Sequence, residues 1–137
     1  MFERILFVVS DKADDKRFVL ELAQRHSSMV VLMALVGTET PEKQRSAGAT
    51  HKRVLREDRE RKGWQTLYHL EEEFKAAGVR ASVMVHVGTV ADIDTVGHNT
   101  RADIIVLPAS LVADTNYHLP DEFIPQLPCP IVILNTH

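Results

Sequence analysis

The chain has 137 residues, 45% of them hydrophobic, a length that suits one domain and enough apolar surface for a packed core. Its single cysteine, Cys129, excludes internal disulfides and cysteine-based zinc sites, while 16 Lys+Arg against 19 Asp+Glu leave a net charge of -3 without the positive field of a nucleic-acid binder. The longest apolar run, Met29 to Val36, falls well short of the ~20 residues of a membrane helix, and the charged start MFERIL is unlike a secretory leader. A cytoplasmic protein with neither membrane nor nucleic-acid partners is expected.

In chain order, Ile5 to Val9 is a continuous β-favouring run that stops at Ser10-Asp11, as in a strand buried on both faces. Arg17 to His26 then carries Phe18, Leu22 and His26 on one helical face, broadened by Val19 and Ala23. Met29 to Val36 is a second buried strand ending at Gly37. Within Pro41 to Ala77, after an irregular stretch around Ser46 to Thr50, the residues Trp64, Leu67, Leu70, Phe74 and Ala77 fall at steps of three and four. They predict a long helix with Trp64 in its core-facing stripe, and Gly78 supplies the left-handed stop.

Val79 to Val87 alternates Val83, Val85 and Val87 against Ser82, Met84 and His86 and meets Gly88, which predicts strand three. Thr89 to Asn99 has helical spacing at Val90, Ile93 and Val96. Asp103 to Leu107 gives a fourth strand ending at Pro108. Leu119 to Leu127 is a short helix candidate that Pro125 shortens, and Ile131 to Leu134 is strand five. Such alternation predicts a doubly wound α/β domain, a parallel sheet with helices on both faces. Ligands in these sheets sit beyond the carboxyl ends of the strands, here Ser10-Asp11, Gly37-Thr38, Gly88-Thr89 and Pro108 to Ser110.

At those positions the segments ILFVVSDK, VMVHVGTVADI, RADIIVLPAS and LPCPIVIL resemble the universal stress protein family, over nearly the whole chain. The most specific pieces are Ala102-Asp103 before an apolar strand and Cys129-Pro130 before the last one. The resemblance implies one domain over residues 1–137, a five-stranded sheet in the order 3-2-1-4-5 of the adenine nucleotide alpha hydrolase-like kind, and a tendency to dimerise.

ATP-binding members of that family place a glycine directly after strand four, a second three residues on and a Gly-Ser or Gly-Thr about ten further, because bare backbone must approach the phosphates. Here Pro108 and Leu111 hold the first two places, and Pro108 has no N–H to donate. Counting forward reaches Asp121-Glu122 and counting back from Cys129-Pro130 reaches Tyr117-His118. Neither is Gly-Ser, and a carboxylate there repels phosphate. Ser10 replaces the carboxylate such members carry after strand one, with Asp11 displaced by one; Gly88 alone matches. The expectation is a non-catalytic binding or regulatory module with no cofactor. The alternative is an ATP- or AMP-binding switch with Ser10, Asp11, Val36, Gly88 and Ser110 lining the site.

Other chemistry finds little support. Seven histidines include no HxH or HExxH spacing, and Asp92 and Asp94 diverge on a helix, so no metal site is expected. Cys129, between two prolines with no neighbouring base, reads as a small buried hydrophobe. No GxSxG, Walker A or GxGxxG occurs, and Gly88 stands where a phosphoacceptor domain has its aspartate. Across His51 to Lys62 the pairs Arg53/Glu57, Arg56/Glu60 and Asp58/Lys62 lie four apart, predicting a solvated helix face rather than an RNA or lipid contact. In the implied order Ile131 to Leu134 lies at a sheet edge without a charge, which predicts a homodimer through that strand.

Overall fold

A computed structural model describes residues 2–9, 13–36, 49–88, 92–108 and 129–134. In these residues the apolar runs become strands β1 (Arg4–Val8), β2 (Met29–Val36), β3 (Arg80–Val87), β4 (Ile104–Pro108) and β5 (Ile131–Leu134). Three helices alternate with them: α1 (Ala13–His26), α2 (Ala49–Ala76) and α3 (Ile93–Thr100). All neighbouring strands are parallel and the sheet order is β3-β2-β1-β4-β5. The central strands β1, after its first residue Arg4, and β4 are the most completely buried because both of their faces are covered.

Alternation along each strand divides the core in two. Ile5, Phe7, Val30, Leu32, Ile104 and Val106 face Val19 and Ala23 of α1 and Leu67, Leu70 and Phe74 of α2. Leu6, Val8, Val31, Met33, Ile105 and Leu107 face Ile93 and Val96 of α3. At Gly63 a Cβ would lie 3.3 Å from the Ala34 Cβ, so glycine lets α2 press closely onto β2. A 2.6 Å Lys16–Glu73 ion pair ties α1 to α2, and Gln24 Nε2 donates to the Ala77 carbonyl at 3.1 Å.

Several expectations need correction. The first helix begins at Ala13, four residues ahead of Arg17, and its buried stripe is Val19 and Ala23 while Phe18 is exposed. The stripe turns because the face is set by the position of the sheet beneath the helix, which local spacing does not record. Trp64 leaves the core because Gly63, one position earlier, takes the place against β2 and β3, and Trp64 stacks instead on exposed Tyr68, with ring centroids 5.6 Å apart. Ala49 and Thr50, expected to be irregular, open α2. Val87 is exposed because β3 is an edge strand with its end beyond the helix cover. Asp58 meets Arg61 at 3.5 Å, three residues on, where Lys62 was expected. Arg53, Arg56 and the Leu119 to Leu127 helix lie outside the residues described at side-chain level.

The three helices end alike. In each case an amide just past the helix bonds back to the carbonyl five residues earlier: Ser28 to Ala23 at 2.9 Å, Val79 to Phe74 at 2.9 Å and Ala102 to Gly97 at 3.1 Å. The residue before each of these amides has a left-handed backbone: Ser27 (φ 54), Gly78 (φ 80) and Arg101 (φ 56). Only Gly78 announces itself in the sequence.

Beyond α3, the Ala102-Asp103 pair does structural work at the start of β1. Ala102 is buried, and Asp103 Oδ2 accepts hydrogen bonds from the backbone amides of Glu3 at 2.8 Å and Arg4 at 2.9 Å. The Asp103 amide returns a bond to the Arg4 carbonyl at 2.9 Å, so β1 and β4 are clamped at their amino ends. Cys129 is half-buried against the α3 side of the sheet rather than fully enclosed, since it stands at the entrance of an edge strand.

Candidate functional site

With this strand order, chain direction across the sheet reverses between β1 and β4, so the carboxyl ends of these strands are where the general rule for such sheets puts a ligand. Of the residues predicted to line a crevice there, the structure brings Val36 and Gly88 together: the Gly88 amide donates to the Val36 carbonyl at 3.0 Å. Val36 is buried, and its side chain lies on the α2 side of the sheet beside Gly63, so it offers the crevice backbone alone. Ser10, Asp11 and Ser110 lie outside the described residues. At the end of β4, Pro108 is buried and paired in register with Leu134, a wall without an amide donor.

A further pair stands at this end of the sheet. His86, near the end of β3, places Nε2 3.0 Å from Asp92 Oδ2 just ahead of α3. Asp92 occupies the helix-capping position but makes no capping bond with its side chain; the carboxylate turns to the imidazole instead. Gly88 permits this, because a Cβ there would fall 2.0 Å from Asp92 Oδ2 and 2.8 Å from His86 Nε2. With the carboxylate ionised, a neutral His86 carries its proton on Nε2 and presents Nδ1 as an acceptor. Asp94 diverges from Asp92, and its Oδ1 accepts from the Thr95 amide at 2.7 Å. In the first turns of α1, Asp15 is fully buried, a carboxylate beside the helix N-terminus that such a position favours.

Sequence reasoning misses the His86–Asp92 pair because the two residues belong to different elements six positions apart. The available signal is the glycine between them, together with His86 lying on the strand face opposite the valines. Cys129 carries no comparable chemistry: burial, and secondarily the charge of Asp103, push its thiol pKa up and keep it protonated. Among the described residues no cluster of three or more His, Cys, Asp or Glu could hold a metal ion, and no helix is long and apolar enough to cross a membrane.

Sheet order and helix placement together define a doubly wound, all-parallel five-stranded α/β domain. No protein-family model and no curated protein sequence matches the chain. Solved structures do match it. A protein of the universal stress protein family from Burkholderia pseudomallei is 18% identical over 98% of this chain and 96% of its own, with a TM-score of 0.73. The universal stress protein UspA from Lactobacillus plantarum is 16% identical over 97% of both chains, with a TM-score of 0.70. A universal stress protein family protein from Arabidopsis thaliana, solved with AMP bound, is 14% identical over 98% of this chain and 92% of its own, with a TM-score of 0.65. The chain has the universal stress protein fold, in the strand order that the sequence resemblance implied.

Proposed function

We propose that this chain is a universal stress protein-like module of the stress response that works in the cytoplasm by binding rather than by catalysis. The observation that carries the reading is the end of β4. Pro108, buried and without an N–H, stands where nucleotide-binding members present a glycine amide, and Leu111 replaces the second glycine. The test is thermal unfolding with millimolar ATP. Occupancy at 100 times Kd adds about 2.7 kcal/mol, a readily measured rise in Tm, and the expected result is no rise. Adenine absorbance in the purified protein, or an ATP-dependent rise, overturns the reading.

AMP in the Arabidopsis structure favours a second reading, a nucleotide-responsive switch built on Ser10, Asp11, Val36, Gly88 and Ser110. The Val36 carbonyl, already engaged by Gly88, would then serve the nucleotide through its remaining lone pair. AMP run beside ATP in the same melting experiment separates the two readings.

The module is proposed to be a homodimer through Ile131 to Leu134. Val132 and Leu134 pack on the α1–α2 side of the core and Ile131 on the other, while Ile133 is exposed at an edge with no charge to guard it. Ile133→Lys is therefore the substitution expected to split the dimer without unfolding the monomer. Wild-type protein with the monomer mass by light scattering at micromolar concentration would sink the dimer.

A further inference from the structure

The opposite end of the sheet, where the strands begin, carries a second concave site. A cavity of about 410 Å³ is lined by Glu3, Arg4, His26, Ser27, Met29 and Arg80. A second, of about 260 Å³, shares Ser27 and Arg80 with it and extends to Gly78 between α1 and α2. Arg4, Met29 and Arg80 stand in one register row across β1, β2 and β3, so the two arginines are two strand spacings, ~10 Å, apart at their Cα atoms. Both side chains can reach one guest between them. Among the described residues no carboxylate lies within 4.0 Å of either guanidinium. Arg4 spends one donor on the Thr100 carbonyl at 3.3 Å, which anchors it and leaves most of its five N–H groups uncommitted.

Ser27 supplies an independent reason to look here. It holds a left-handed backbone, φ 54, at the helix-terminating position where glycine costs least, yet its side chain lines both cavities. The turn is the helix stop shared with Gly78 and Arg101; what Ser27 adds is a hydroxyl-bearing side chain at the rim common to the two cavities. The neighbouring hydroxyl of Ser28 is already committed to the Phe2 carbonyl, and His26 is held edge-on against Phe2 with ring centroids 5.2 Å apart. These contacts fix His26 and Ser28 beside the cavities that Arg4, Arg80 and Ser27 line.

We propose that this amino-end groove binds a small organic dianion, held at its two ends by Arg4 and Arg80 and hydrogen-bonded by Ser27. Planar guanidinium forks suit carboxylate and phosphate oxygens alike. Glu3 in the lining, and Asp103 held on the amides of Glu3 and Arg4, oppose an anion and limit the site to guests whose anionic groups lie toward the arginines. The site lies at the far end of the sheet from the crevice, so it stands whether or not the chain binds nucleotide.

The experiment is a backbone amide NMR titration of the full chain with succinate and, separately, glycerol phosphate, with acetate and sodium chloride as controls. Saturable shifts at Ser27, Ser28, Met29 and Arg80 with either dianion are expected; response to glycerol phosphate alone assigns a phosphorylated guest, and response to both assigns dianions in general. Arg80→Ala should weaken binding at least tenfold, Arg80→Lys less, and Glu3→Gln should tighten it. Ser27→Gly should raise Tm while weakening binding, a combination that a purely structural role for Ser27 does not produce. Linear, non-saturating shifts at millimolar dianion, shifts matched by acetate, or affinity unchanged in Arg80→Ala would each overturn the proposal.

Discussion

The two ends of the sheet are built on different principles. At the amino end the chain is tied to itself: Asp103 grips the amides of Glu3 and Arg4, Ser28 bonds the Phe2 carbonyl, and all three helices finish there in the same left-handed turn. At the carboxyl end the tie that stands out is the half-buried pair His86–Asp92, set across a glycine. The amino end secures strand order through backbone ties, with Arg4 and Arg80 flanking a groove beside them, whereas the carboxyl end is joined through side chains. Bonds from two backbone amides to one charged acceptor contribute more to stability than a single partly exposed side-chain pair, so substitutions at the two ends should differ in cost.

The strongest way to break this contrast is Asp103→Ala. Two backbone amides lose a charged acceptor, and at ~1.5 kcal/mol or more for each such bond the loss should be about 3 kcal/mol, measured as a lower urea midpoint at unchanged slope. A loss below about 1 kcal/mol would mean that the amino end is held by strand packing alone.

The helix-terminating residues sharpen it next. Gly78→Ala should destabilise by about 1 kcal/mol through backbone strain alone, since a Cβ there meets nothing within 4 Å. Arg101→Gly should go the other way by a similar ~1 kcal/mol, because its turn has the same hydrogen bonds and a side chain that the conformation disfavours. Equal and opposite changes in thermal unfolding would confirm that the turns differ only in that residue; two losses would show that Arg101 contributes contacts of its own.

At the carboxyl end, Gly88→Ala should force Asp92 away from His86 while lowering stability by less than about 1 kcal/mol, since the atoms displaced are the tips of partly exposed side chains. Imidazole NMR shifts should respond even where Tm barely moves. A large loss of stability would make this end structural as well.

The smallest effect concerns pH. Glu73 bonds Lys16 at 2.6 Å and His69 at 2.9 Å, and the Lys16 hydrogen bond, more than any other cause, lowers its pKa from the ordinary 4.5. A carboxyl group with a depressed folded pKa stabilises fully above its unfolded value and progressively less as pH falls through the folded one. The contribution is therefore present at neutral pH and fades below 4.5. Lys16→Met should flatten that acid limb slightly, by well under 1 kcal/mol because the pair is about a third exposed. An unchanged acid limb would leave the α1–α2 contact to apolar packing.

How much was legible in advance follows from what each signal encodes. Strands β1, β2 and β4 were evident because a strand covered on both faces must be apolar at every position, and composition alone records that. Gly78 was evident because glycine is the residue that a left-handed turn favours. Ser27 and Arg101 adopt the same turn without advertising it, since the closing hydrogen bonds and packing overrule their local preference. Trp64 and Phe18 were misassigned because helical spacing defines a stripe but not which of its residues the sheet beneath it covers.

By itself, then, the sequence determined the alternation of apolar strands and amphipathic helices, and it puts Pro108 and Leu111, rather than glycines, at the end of the fourth strand and three residues on. Those are properties of single residues and short runs. Only the tertiary structure decided that Val36 lends a carbonyl and no side chain, that His86 finds Asp92, and that Arg4 and Arg80 flank one groove across three strands. Each depends on parallel register, and register is set by burying both faces of the sheet at once, a condition that no local stretch of sequence contains.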